Sequence, residues 1–314
     1  MSQPSKTVRR TLAAGAGALA AACFLVASPG AEALQSRTSP NAMASQCDRM
    51  AGSPYDLQRN FAYPPVAMSN IPGEAVEACR IAFEATQNPR FSYQLGRALN
   101  RNAQAAEAMT AYEAAVDSNY AAAMVNVGML LGRIGDQNAE FSLYTRAADG
   151  GNTLAMYNLG VAYRDGLGTT PNGEQAIRWF EKAATAGDDT AAFNIGVIYD
   201  EGIIVVEDNE TALLWYQMAA RGGNADAMVN AGLMLESGEG VKTDLPAAAE
   251  MYRQAAIKGD AFAEQKYQAM QQAGIGSVQA PAPAPELSVS NEAVETLVLK
   301  SSDVELPKTF VADI

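Results

Sequence analysis

Tyr157-Asn158-Leu159-Gly160, Phe193-Asn194-Ile195-Gly196 and Val229-Asn230-Ala231-Gly232 are three copies of one phrase, an apolar residue, Asn, an apolar residue and Gly. Two earlier copies, Tyr93-Gln94-Leu95-Gly96 and Val125-Asn126-Val127-Gly128, bring the intervals between glycines to 32, 32, 36 and 36. A second series runs in phase with the first: Ala147-Ala148, Ala183-Ala184, Ala219-Ala220 and Ala255-Ala256, each pair preceded three residues earlier by Tyr144, Phe180, Tyr216 or Tyr252. Two phased series at this period mark a repeat in which each unit is one supersecondary element stacked on the next.

Each unit reads as two helices. In the first, the glycine lets a neighbouring helix approach, and the residues one before and three after it share a face: Leu159 with Tyr163, Ile195 with Tyr199, Ala231 with Leu235. In the second, Ala176, Phe180 and Ala183 recur as Ala212, Tyr216 and Ala219 and as Ala248, Tyr252 and Ala255, at i, i+4, i+7 spacing. Asp136, Asn172, Asp208 and Asp244 stand where the second helices start and are residues that accept from unpaired helix N–H groups. Gly151, Gly187, Gly223 and Gly259 close the units as C-terminal caps.

Leu95-Gly96, Leu99, Ala108, Tyr112 and Ala115 resemble a tetratricopeptide unit. The 36-residue units, with Gly166-Leu167-Gly168 or Gly238-Glu239-Gly240 in the loop and Trp179-Phe180 or Trp215-Tyr216 in the second helix, resemble Sel1-like repeats. The resemblance covers residues 89–273 and implies an all-α, α-solenoid fold of antiparallel helix pairs that serves as a non-catalytic scaffold. Two units depart from the pattern. The one at 121–152 has a short loop and Glu140 where Ala is expected, and the one at 190–225 has Gly202-Ile203-Ile204 in place of Gly-x-Gly, so irregular packing is expected at both. The stretch from Cys47-Asp48-Arg49 through Ala78-Cys79-Arg80 to Tyr93-Gln94-Leu95-Gly96 is also similar to the leader beside Sel1-type repeats in some bacterial proteins carrying a caspase-like peptidase domain. Only that architecture carries over.

At the start of the chain, Lys6, Arg9 and Arg10, an apolar run from Leu12 to Ala27 and Ala31-Glu32-Ala33 have the order of an export signal cleaved before Leu34. The run is short and Ala/Gly-dominated for a membrane anchor, and Thr11-Leu12-Ala13 is a poor continuation for twin-arginine export. The expected location is periplasmic or secreted, with no stable membrane span after cleavage. Export would leave two cysteines, Cys47 and Cys79, which an oxidising compartment would join at a gain of about 3–4 kcal/mol in the chain-entropy model; two unrelated small buried residues are the alternative. The resulting division is a signal peptide at 1–33, a leader and capping helix at 34–88, a tetratricopeptide-like unit at 89–120, Sel1-like repeats with a terminal capping helix at 121–273, an Ala/Pro linker at 274–285 and a tail at 286–314. Residues 34–70 lack a helical period and are expected to wrap the first helices irregularly, before a capping helix from Pro72 to Thr86 with Ser69 or Asn70 ahead of it. In the tail, Leu297-Val298-Leu299 and Phe310-Val311 read as disordered sequence, an added strand or an internal ligand.

Composition removes many function classes. The chain of 314 residues has no histidine, so Ser-His-Asp, Cys-His and His-liganded zinc chemistry are out of reach. A formal charge of -13 argues against nucleic acid. Gly166-x-Gly168 and Gly238-x-Gly240 follow helices rather than strands and read as repeat turns, not phosphate loops. Glu207-Asp208-Asn209-Glu210 lacks the alternating oxygen ligands of a calcium loop and reads as a solvated acidic turn. No metal or cofactor is expected. Asn126, Asn158, Asn194 and Asn230 form a ladder read as repeat-stabilising hydrogen bonds in preference to a binding surface.

The expected function is therefore to hold a protein or peptide partner of the cell envelope on the concave face that first helices present in helical-pair solenoids. The rivals are an accessory subunit or regulator of an envelope enzyme and, behind it, a carboxylate-based hydrolase. The expected groove positions lie three before and one after each glycine: Tyr93 and Arg97, Val125 and Met129, Tyr157 and Val161, Phe193 and Val197, Val229 and Leu233. Such a stripe marks a partner surface, a groove occupied by the chain's own tail, or core.

Overall fold

The computed structural model describes residues 39–275. The readings for the export signal and the tail lie outside them, as does most of the Ala/Pro linker. Among the described residues there are thirteen α-helices, one short 3-10 turn and no strand.

The repeat series occupies its expected elements. First helices are α3 (Pro89–Arg101), α5 (Ala121–Arg133), α7 (Thr153–Asp165), α9 (Asp189–Glu201) and α11 (Ala225–Ser237); their partners are α4 (Ala105–Asp117), α6 (Gln137–Asp149), α8 (Gly173–Thr185), α10 (Asn209–Gly222) and α12 (Leu245–Ile257). The unpaired α13 (Ala261–Gln272) ends the stack. The side chains of Asp136, Asn172, Asp208 and Asp244 accept from backbone N–H groups three residues on, capping α6, α8, α10 and α12. A second cap series at the same period, Asn152, Asp188, Asn224 and Asp260, starts α7, α9, α11 and α13. Each cap is worth about 1 kcal/mol, and together they fix where every helix from α6 to α13 begins. At the unit ends Gly151, Gly187, Gly223 and Gly259 have φ between +84° and +103°, the left-handed cap conformation.

Packing within a unit is a ring seated on a glycine. A Cβ on Gly160 would stand 2.5 Å from Phe180, on Gly196 2.6 Å from Tyr216 and on Gly232 2.8 Å from Tyr252. Those three rings are fully buried, with Ala176, Ala212 and Ala248 beside them in one continuous core.

Both departures from the repeat pattern are accommodated by local exchange. In the unit at 121–152, the Glu140 carboxylate lies over Gly132, where any side chain would collide with it, and accepts from the Tyr144 hydroxyl at 2.8 Å. At the loops, Gly168 lies against the backbone of Gln137 and Gly240 against that of Asn209, so each loop rides on the start of the preceding second helix. Ile204 replaces the loop glycine in the unit between, and there the glycine is on the other side of the contact: a Cβ on Gly173 would stand 2.5 Å from the Ile204 carbonyl and 2.8 Å from Val205.

Ahead of the repeats the structure differs from the expectation of an irregular wrap throughout. Residues Pro40–Ala51 form helix α1, started by Ser39, whose hydroxyl accepts from Ala42 N, with Pro40 in the first turn. Proline there is pre-organised for a helix and loses no bond. The capping helix α2 runs Ala75–Thr86, three residues later than expected, because Met68–Asn70 close a 3-10 turn of their own. Cys47 of α1 and Cys79 of α2 are joined in a disulfide, both fully buried.

Candidate partner-binding face

Polar side chains between successive repeats follow one rule. The Asn126 amide donates to the Tyr112 hydroxyl at 3.3 Å, fourteen residues back, and Asn158 and Asn230 stand in the same relation to Tyr144 and Tyr216. At the last two units the second partner of the hydroxyl comes from the residue four after the glycine, Tyr216 donating to Asp200 at 2.9 Å and Tyr252 to Glu236 at 2.7 Å, whereas Tyr144, with Gly132 at that position, donates to Glu140 of its own helix. At the end of the series Lys266 takes the asparagine's place and pairs with Glu236 at 2.8 Å. Burial is the first cause holding the Tyr112, Tyr144, Tyr216 and Tyr252 hydroxyls above the ordinary phenol range; carboxylate neighbours add to it at the last three. These groups stay protonated donors, and the asparagine ladder is a device for stacking repeats.

The ten residues expected to line the groove do not share one environment. Tyr93, Arg97 and Val125 are buried, between 2% and 3% exposed. Tyr157, Val161, Phe193, Val197 and Val229 are half-buried, and Met129 and Leu233 are 41% and 38% exposed. Two of the aromatics lean on the ring of their own unit, Tyr157 on Phe180 at 5.5 Å and Phe193 on Tyr216 at 5.7 Å, which leaves part of each ring uncovered.

What covers Tyr93 and Arg97 is the leader, while Val125 is packed among repeat residues, with Met124, Tyr144 and Leu159. The guanidinium of Arg97 donates to the carbonyls of Ala51 at 2.5 Å and Val66 at 2.7 Å, gripping both ends of residues 51–66. The Tyr120 hydroxyl donates to Asp56 at 2.7 Å, and Asn152 reaches the Tyr55 carbonyl at 3.4 Å. Behind them Asp48 accepts from Arg90 at 3.1 Å, Asn60 at 2.9 Å and Gln94 at 3.1 Å. Burial raises the Asp56 carboxyl, against the opposing effect of the Tyr120 and Gln58 bonds and the charges of Arg90 and Arg97. Arg97 has the role of a clamp on the chain's own leader, a role that position in the repeat alone does not reveal. The sequence sign was a lone arginine in an otherwise apolar stripe.

Past Asn152 the leader ends as a rim. Pro54, Tyr55 and Leu57 face Leu154 of α7 and Asp188–Thr190 at the start of α9 across a cleft of about 470 Å³. Tyr55 and Leu57 are exposed. The uncovered part of the first-helix face thus begins at the leader's edge and runs from Met129 to Leu233. Among the described residues no group of acidic or sulfur side chains is arranged to hold a metal ion, and no helix is long and apolar enough to cross a membrane.

Residues 121–152, 153–188, 190–224 and 225–260 match the Sel1 repeat family. No curated protein matches the sequence. Among solved structures it is similar to c5321, a protective antigen of uropathogenic Escherichia coli strains displaying an SLR fold, with 20% identity and a TM-score of 0.63 over 86% of this chain and 55% of that one. It is also similar to a Sel1 repeat protein from Oxalobacter formigenes, with 26% identity and a TM-score of 0.53 over 67% of this chain and 84% of that one. The chain therefore spans about half the length of the first of these. Sel1 repeats generally mediate protein–protein interaction and are generally non-catalytic.

Proposed function

We propose that this protein is a non-catalytic adaptor of the cell envelope, periplasmic or secreted, that holds an extended protein segment on the uncovered half of its first-helix face. The observation carrying this reading is the run of partly exposed apolar residues at equivalent positions of four successive helices, Met129, Tyr157 with Val161, Phe193 with Val197, and Val229 with Leu233. A contiguous uncovered apolar run on a chain of charge -13 is a surface that gains by association. The repeat supplies an apolar patch at each unit along the stack, which suits an extended ligand contacting several units. Export follows from the order of charge, apolar run and Ala-x-Ala in residues 1–33, and the Cys47–Cys79 disulfide accords with an oxidising compartment.

The test is capture of envelope proteins by the full chain with and without Tyr157→Ala/Phe193→Ala, followed by mass spectrometry. A partner retained by the wild type and lost by the double variant, with helicity unchanged, is the expected result. Equal retention by both would remove the first-helix face from the function.

A further inference from the structure

The loop that lost its glycine opens a second surface. Between the start of α8 and residues 202–209 lies a cleft of about 710 Å³, walled by Ile177, Tyr199, Ile204 and Val205. At its lip Val206 is 86% exposed and the adjoining Ile203 78% exposed. Two aliphatic side chains left in water forgo the gain of burial, and nothing in the packing of the repeat asks for it: the close contact with Gly173 is made by Ile204 and Val205.

The charged lining has an excess of negative charge. Glu174, Glu207 and Asp208 face the cleft with Arg178 as their counterpart, and Arg178 is already paired with Glu174. Asp208 is engaged as the cap of α10, accepting from Thr211 N and from its hydroxyl. Glu207 accepts from the Asn209 amide at 2.9 Å, while the Asn209 carbonyl oxygen is buried in the cleft wall without a hydrogen-bond partner. Burial, followed by the charges of Glu181 and Asp208, pushes the Tyr199 hydroxyl up to about 12, in keeping with a negative field. The cleft offers acceptors and negative charge at one wall and aliphatic surface at the other.

We propose that this cleft takes a lysine or arginine side chain flanked by aliphatic residues, presented by a protein partner. The cation answers the excess negative charge of three carboxylates against one guanidinium; the flanking residues cover Ile203 and Val206. The site lies on the loop edge of the stack, apart from the first-helix face, and gives an adaptor a second contact for the same partner or a different one.

A phage-displayed random dodecapeptide library panned against the full chain at low ionic strength tests the proposal. Enriched peptides should carry Lys or Arg beside Leu, Ile or Val. Their affinity should fall at least about tenfold in Val206→Asp, the scale of losing an interface anchor, and fall with added salt. Glu207→Lys, which cancels the excess negative charge of the lining, should abolish the preference for basic residues. Both changes are on exposed side chains, so circular dichroism should match the wild type. Binding must also survive Tyr157→Ala/Phe193→Ala. No enrichment, enrichment without basic residues, or peptides indifferent to Val206→Asp and Glu207→Lys would overturn the proposal. Peptides lost only in the Tyr157/Phe193 variant would overturn it too, while leaving the adaptor function standing.

Discussion

Arg164 donates to the side-chain Oδ1 of Asn194 at 2.6 Å, and this bond occurs at the junction where the ring fourteen residues before the asparagine is Phe180 instead of tyrosine. At neighbouring junctions the hydroxyl links asparagine and acid. Without it the asparagine turns its amide to the Thr190 carbonyl at 2.8 Å, and arginine occupies the position that is Asp200 or Glu236 in the following units. Phe180, Arg164 and Asn194 form one alternative set. Phe180→Tyr alone should therefore destabilise, because the added hydroxyl meets a guanidinium with no acceptor to spare; the cost of an unsatisfied buried polar group is about 1–3 kcal/mol. Adding Arg164→Glu should recover most of it. A double-mutant cycle by urea denaturation reads the coupling, and additive losses would show that the three residues are independent.

Glycines that seat rings give a second test. Gly196→Ala places a Cβ 2.6 Å from Tyr216, so even the smallest substitution overpacks the core and should cost about 1–3 kcal/mol. Circular dichroism melts should show the loss. Gly187→Ala should cost less and for another reason: space there is open, but φ is +94°. An unchanged melting temperature in Gly196→Ala would contradict the seating of the ring.

The exchange of glycine between Ile204 and Gly173 makes a reciprocal prediction. Gly173→Gln restores the residue type found at Gln137 but drives a side chain into the Ile204 carbonyl, so it should destabilise by about 1–3 kcal/mol. Ile204→Gly in the same chain frees that backbone to take the positive φ of Gly168 and Gly240, moving the carbonyl aside, and should relieve part of that loss. Thermal denaturation of the single and double variants measures it.

These cases show what was readable in the sequence. Period, helix pairs, ring-on-glycine packing, second-helix caps and the asparagine ladder all follow from local pattern, because each repeat contacts mainly its neighbours and a residue's role returns at a fixed interval. The cap series Asn152, Asp188, Asn224 and Asp260 was equally regular and is found by the same spacing. Compensations such as Glu140 over Gly132 look like defects until the opposing residue is known. Helix α1 was hidden because prolines in residues 34–70 suggested irregular chain, although Ser39-Pro40 is itself a start signal. The split of the stripe at Arg97 could not be read from periodicity, since the leader that covers it is not part of any period.

Acid should loosen the two ends of the stack differently. Burial raises Glu236, but the bonds from Lys266 and Tyr252 outweigh it and leave the carboxyl lowered. Its contribution is therefore present above the ordinary value of 4.5 and lost as pH falls through the folded value. Asp56 is raised above 3.8 by burial, so its contribution is full below that value and lost as pH rises through the folded one. Lowering the pH through the carboxylate range should free α13 while leader docking gains from Asp56. Hydrogen exchange followed by mass spectrometry should show protection lost first in residues 261–272, and Glu236→Gln should remove that acid sensitivity. Uniform loss along the chain would contradict the assignment.

The leader clamp gives the last prediction. Arg97 is 3% exposed and holds the carbonyls of Ala51 and Val66, so Arg97→Ala leaves two acceptors and a cavity under residues 51–66. Hydrogen bonds to a charged group contribute about 1.5–3 kcal/mol each, enough to undock the segment while the Cys47–Cys79 disulfide keeps α1 attached to α2. Limited proteolysis should then cut near the exposed Leu57 and Phe61 with the repeats intact. Binding of a hydrophobic dye should rise, because Tyr93 joins the open stripe. A partner that prefers the longer face would bind Arg97→Ala more tightly; one that also uses Tyr55 and Leu57 at the leader's rim would bind it more weakly. Arg97→Lys, which keeps the charge but not the fork that reaches two carbonyls, should lie between. If proteolysis and dye binding both match the wild type, the leader is held by the Asp48 and Asp56 networks without Arg97.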